Sequence, residues 1–192
     1  MSGYTLTQPE LYYSFSAAGT ALATFTTEAS LMGGYIIPQI PGTFFNKLGN
    51  LSSALKIRAI GNVSTTGTPT FTVSLRLLSS ATSWSAGGIL LGSTNAATAA
   101  TVTNGWWQLD VDAVLRTIAN GAATSTLATW GTLSGTAFPT TGSLPASNVS
   151  AVSSTLDNTG ATSYYLWVSA ACGTSSASNS ISLQGLKIYL EN

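Results

Sequence analysis

The chain has no histidine, a single cysteine and, in 192 residues, only six Lys or Arg and six Asp or Glu. Each shortage removes a class of chemistry. Without histidine, Ser-His-Asp and Cys-His nucleophilic schemes lack their usual base, and the commonest metal ligand is gone. Cys172 alone can form neither an intrachain disulfide nor a cysteine-rich zinc site. No P-loop, no G-x-G-x-x-G after a strand and no G-x-S-x-G elbow occurs. The expectation is a chain that is not an enzyme and that needs no metal and no cofactor.

Charge is equally scarce. Charged residues make up 6% of the chain, against about 25% in an ordinary domain, and the formal net charge is +0. Lys47, Lys56, Arg58, Arg76, Arg116 and Lys187 are scattered, so no basic patch points to nucleic acid. Met1 to Glu10 carries no basic stretch followed by an apolar one, so no secretory leader is expected. No apolar run approaches a membrane span. With few cysteines, these features fit synthesis in a reducing cytoplasm. Asn50, Asn62 and Asn148 match the N-glycosylation pattern, but such matches arise by chance in so Ser- and Thr-rich a chain.

What replaces the charge is Ser, Thr, Gly, Ala and Asn beside 44% hydrophobic residues, with a mean hydropathy of +0.30. Such a surface is hydrated but weakly repulsive, and nothing long-range keeps copies apart. A subunit that buries much of its surface against copies or partners is expected ahead of a bland monomer.

Period-two alternation recurs between turn signals, whereas long helical periodicity is nearly absent. Leu55, Ile57 and Ala59 alternate with Lys56 and Arg58. Phe71, Val73, Leu75 and Leu77 alternate with Thr72, Ser74 and Arg76. With Thr65 to Pro69 as a turn, these two runs read as a hairpin. Asn104-Gly105 reads as a turn before a strand from Trp106 to Ile118, with Trp107, Leu109, Val111, Ala113 and Leu115 inward. Asn120-Gly121 then turns the chain into Thr124 to Trp130, a second hairpin. Gly131 to Val149 reads as a loop. Tyr164, Leu166 and Val168 oppose Tyr165 and Trp167 in the next strand. In the last, Ile181 and Leu183 lose phase with Leu186, Ile188 and Leu190, as a bulge at Gln184-Gly185 would produce.

The first fifty residues are less regular. Glu10 to Phe15 and Ala21 to Thr27 can each be a strand. Met32 to Pro41 is apolar but broken by Gly and Pro, which restricts it to an edge or a crossing arm. The fold expected is all-β: six to eight strands in one antiparallel sandwich or Greek-key barrel, with a jelly-roll-like sandwich of about eight strands as the first choice. Residues 1–50 would form an N-terminal arm and first strands, and 51–192 the core of the same domain.

Asp110 and Asp112 are the one acid pair of interest. At i and i+2 on a strand they share a face about 7 Å apart, a separation that inverting glycosidases use. They point the same way, however, and do not flank a substrate. A solvated face paired with Arg58 or Arg116 is expected instead. Aromatic doublets carry more information, because neighbours in a strand face opposite sides. If Trp107 and Tyr164 are inward, Trp106, Tyr165 and Trp167 are outward. With Trp84 in a loop and Tyr35, Ile36 and Ile37 in the irregular arm, they are the interface candidates. Contact with a copy, burial under the arm and a carbohydrate platform all remain open.

Ala54 to Leu77, Gly105 to Asp112 and Ala170 to Leu190 together resemble small jelly-roll structural proteins of tailed bacteriophages, of the head decoration (cement) or tail-fibre head type. The resemblance spans roughly residues 50 to 191 and rests on strand pattern. It implies a virion component, commonly a homotrimer, whose partners are its own copies and the major capsid protein. A tail-fibre or receptor-binding head recognising host surface glycan is the alternative, and a glycoside hydrolase using Asp110 and Asp112 a third reading.

Overall fold

The structure, a computed structural model, describes residues 10–41, 44, 54–117, 126–138, 142–143, 156 and 162–191. It is all-β. The strands are β1 (Glu10–Ser16), β2 (Leu22–Ala23), β3 (Ala29–Ser30), β4 (Gln39–Ile40), β5 (Ala54–Thr65), β6 (Thr70–Leu78), β7 (Ile89–Ser93), β8 (Ala97–Thr98), β9 (Val102–Thr117), β10 (Thr126–Ser134), β11 (Gly142–Ser143), β12 (Tyr164–Cys172) and β13 (Ser180–Glu191). They form two antiparallel sheets. The first runs β1-β13-β5-β9-β10-β11, with β2 also beside β13. The second runs β3-β12-β6-β7, with β4 also beside β12 and β8 beside β6.

Alternation builds the core between the sheets. From the first sheet come Leu55, Ile57, Ala59 and Val63 of β5, Trp107, Leu109, Val111 and Ala113 of β9, and Ile181, Leu183, Leu186 and Ile188 of β13. From the second come Phe71, Val73, Leu75 and Leu77 of β6 and Tyr164, Leu166 and Val168 of β12. Within the described side chains these are the inward sets that the pattern predicts. The fully buried Trp107 needs room, and Gly61, its register partner on β5, provides it. A Cβ at Gly61 would lie 2.6 Å from the indole and 1.9 Å from the Ser182 carbonyl oxygen.

The bulge expected at Gln184-Gly185 is present: Leu183 pairs with Gly61 and Gly185 with Ile60, so Gln184 is extra. Asn104-Gly105, by contrast, is not a turn. β9 runs through it, and Asn104 takes a left-handed φ of 54° where the register with β5 slips. Asn tolerates that conformation, and the Ser64 hydroxyl accepts its backbone N–H at 3.0 Å, so one strand bulges instead of two strands meeting.

The β5–β6 hairpin is also corrected. β5 pairs with β13 and β9, and β6 with β12 and β7, so the two face each other across the core. Each strand has one apolar face, which is satisfied as well by opposed sheets as by one sheet. The connecting segment is tied down by hydrogen bonds from Ala99 N–H to the Pro69 carbonyl and from the Thr65 hydroxyl to the Ala100 carbonyl. The β9–β10 hairpin forms, though its Asn120-Gly121 turn lies outside the described residues. β10 continues to Ser134 and pairs with β11, so the stretch expected as a loop from Gly131 begins as strand. Only Leu22–Ala23 of the span 21–27 is strand, and Thr24 follows with φ 58°. The Gly- and Pro-broken segment ends in β4 at the edge of the second sheet, where the Pro38 carbonyl accepts the Leu166 N–H.

Candidate functional site

Three surfaces gather the side chains that the sequence brought forward. The first is the outer face of the first sheet. Outward positions of β5, β9 and β13 place Lys56, Arg58, Asp110, Asp112, Lys187 and Glu191 together, in equal numbers of each sign. Lys56 Nζ lies 2.7 Å from Glu191 Oε1, and Arg58 Nε 2.5 Å from Asp110 Oδ1. Gln108 Nε2 donates to the other Asp110 oxygen at 2.5 Å. Hydrogen bonding to Glu191 raises the pKa of Lys56, and hydrogen bonding to Asp110 raises that of Arg58. Burial pushes the Asp112 carboxyl above the ordinary carboxylate range; Glu191 and Asp110 add to this, while Lys56 and a hydrogen bond from Trp130 oppose it. Lys56, Arg58, Asp110, Asp112 and Tyr189 line a shallow depression here. Asp110 and Asp112 share a face, as their spacing requires, and Arg58 is the cross-strand partner of Asp110.

Trp106 (49% exposed) and Trp130 (45%) stand on this same face, with Ile60 between β13 and β9. Trp130 and Ile60 were not singled out from the sequence. A signal for Trp130 was present in the spacing: Leu127 and Leu133, six apart, share one face of a strand, which puts Trp130 on the other.

The second surface is the outer face of the second sheet. Here Arg76 makes a two-pronged pair with Glu28, both contacts at 2.7 Å, and donates to the Gly88 carbonyl at 3.1 Å. The Ser169 hydroxyl donates to Glu28 at 2.5 Å. Burial pulls the Glu28 pKa upward, but hydrogen bonds from Arg76 and Ser169 and the guanidinium charge outweigh it, leaving the carboxyl below its ordinary value. Trp167 faces outward, as predicted, yet is only 6% exposed. Its Nε1 donates to the Ser80 carbonyl at 3.1 Å, and Trp84 lies against it with ring centroids 5.8 Å apart. The 79–88 loop therefore covers Trp167, which removes Trp167 and part of Trp84 from the exposed candidates.

The third surface lies where β1 meets the segment leading to β4. Tyr12, Tyr35, Ile36, Ile37 and Tyr165 line a depression there. Tyrosine hydroxyls fasten the segment to its surroundings: Tyr12 donates to the Gln39 carbonyl, Tyr13 to that of Ile36, and Tyr35 shares its one proton between those of Ala17 and Leu183. The Tyr35 ring stacks on Phe15 at 4.2 Å. Ile37 is buried at 9%, so it serves the core, whereas Ile36 is 84% exposed. Tyr165 is half-buried, and Tyr12 is 41% exposed.

Among the described residues no group of three or more His, Cys, Asp or Glu side chains converges as a metal site. Comparison with protein families, with curated proteins and with solved structures finds no match.

Proposed function

We propose that the chain is a non-catalytic virion subunit of a tailed bacteriophage, a jelly-roll decoration (cement) protein that binds the major capsid protein as a homotrimer. The observation that carries the assembly part is the apolar outcrop of Ile36 beside Tyr12 and Tyr165. An isoleucine 84% exposed, on a segment held by three tyrosine hydroxyls, is a rigid knob in a chain with no net charge to repel a neighbour.

Strand order supports the jelly-roll part. Taken along the chain, β1, β3–β4, β5, β6, β7, β9, β12 and β13 switch between sheets so that β1, β13, β5 and β9 lie together, opposite β3–β4, β12, β6 and β7. Such an order fits the double Greek key of a jelly roll, with β10 and β11 as an added hairpin on β9, and so supports this reading. The phage assignment and the trimer rest on the resemblance of residues 54–77, 105–112 and 170–190.

Light scattering of the purified chain tests the assembly, with a trimer expected; a monomer at micromolar concentration refutes it. Particles lacking the protein should lose resistance to heat or osmotic shock, and unchanged particles would count against the cement role. A second reading, a tail-fibre or receptor-binding head that contacts glycan, is favoured by one observation: Trp106 and Trp130 stand exposed on a sheet face rich in hydrogen-bonding groups.

A further inference from the structure

The outer face of the first sheet combines features that neither assembly nor core packing uses. Acid and base are balanced there, with Lys56, Arg58 and Lys187 against Asp110, Asp112 and Glu191. Donors on β5 alternate with acceptors on β9, one strand spacing of about 4.8 Å apart. Trp130 stands beside Asp112 across the β9–β10 pair, and Trp106 lies four positions from Asp110 along β9, about 13 Å away. Two exposed indoles thus stand at the two ends of a row of polar groups on β9, Gln108, Asp110 and Asp112, with the shallow ionic depression alongside it over β5 and β13.

We infer that this polar row between Trp106 and Trp130 is a binding site for a neutral oligosaccharide. The charge balance disfavours a phosphate, an acidic polymer or a cation, each of which needs an excess of one sign. A protein partner would have to strip water from the Lys56–Glu191 and Arg58–Asp110 pairs, and the cores of protein interfaces are depleted of charge because that desolvation is unfavourable. A sugar avoids this cost. Its hydroxyls both donate and accept, so they replace water on Asp110, Arg58 and Gln108 bond for bond. Its apolar C–H face lies on an indole, whose polar edge is free to bond elsewhere, as that of Trp130 does to Asp112. Trp130 pairs with Asp112, six positions from Trp106, so the two indoles stand about 20 Å apart along the strand, a span that suits a chain of several sugars. The site holds whether the subunit sits on a head or at a fibre tip.

The test is calorimetric titration of the full chain with hexasaccharides of glucose, mannose, galactose and N-acetylglucosamine, beside sialylated and sulfated oligosaccharides. At least one neutral hexasaccharide should bind. Trp130→Ala and Asp110→Asn should each weaken it about tenfold while the melting temperature stays close to wild type. No binding to any of them, binding to the anionic sugars alone, or binding that survives both substitutions would overturn the site. Light scattering on the same samples reads the assembly separately, so failure of one leaves the other standing.

Discussion

Glu28 and Asp112 are carboxyls displaced in opposite directions, and each gives a pH prediction. The Glu28 pKa is lowered below its ordinary 4.5, so its contribution to stability is complete above that pH and is lost as pH falls through the lower folded value. Arg76→Leu removes the partner and should cost about 1–3 kcal/mol at neutral pH, measured by denaturant unfolding. The Glu28→Leu/Arg76→Leu pair should cost less than the sum of the single changes, since neither charge is then left alone. For Asp112 the sign reverses. Its folded value lies above 3.8, so the ionised group opposes folding at neutral pH and the penalty disappears below 3.8. Asp112→Asn should therefore raise the melting temperature at pH 7, with the difference fading toward acid. An Asp112→Asn protein less stable than wild type at pH 7 would contradict this. Alternation put Arg58 and Asp110 on outward faces, but they are 52 positions apart, and the choice between Arg58 and Arg116 as partner waited on the strand order. The Glu28–Arg76 contact was not legible, because Glu28 precedes the two-residue β3 and lies in no alternating run that would give its side chain a direction.

At the scale of elements, phase is what the residues reveal best. The break between Leu183 and Leu186 announced the β13 bulge, whereas Asn104-Gly105 carried a turn signature and became a bulge. The difference lies in what flanks them, since β9 already has β5 alongside to hold it extended. Gly61 shows the same dependence on a partner strand. A methyl there meets Trp107 and the Ser182 carbonyl, so Gly61→Ala should cost about 3 kcal/mol by urea unfolding, although Ala is ordinarily mild in a strand. Trp84 acts through the loop it carries. Trp84→Ala should uncover Trp167 and cost about 1–2 kcal/mol, with a change in tryptophan fluorescence reporting the exposure. No local pattern marks that contact, since Trp84 precedes Trp167 by most of a sandwich.

For the whole molecule, the scarcity of charge becomes informative once it is placed. The charged side chains described are not spread over the surface. Six gather on one outer face, and Arg76 and Glu28 close on each other on the other. Among the described side chains the rest of the exterior is uncharged, and at the β1–β4 junction Ile36 projects from it. Ile36→Asp should convert the assembly to monomers in light scattering while leaving the fold intact by circular dichroism, because the side chain is 84% exposed. An unchanged oligomer would move the interface elsewhere. The residues alone determined the all-β class, the inward set of each long strand, the bulge in β13 and the outward stance of Trp106, Tyr165 and Trp167. These follow from a period of two and from turn chemistry, both of which act over a few residues. Which strands pair, that β5 and β6 oppose each other across the core, and that Trp167 is covered while Trp106 and Trp130 are not were decided only in three dimensions. Alternation says which side of a strand is apolar, but not which distant segment will cover it.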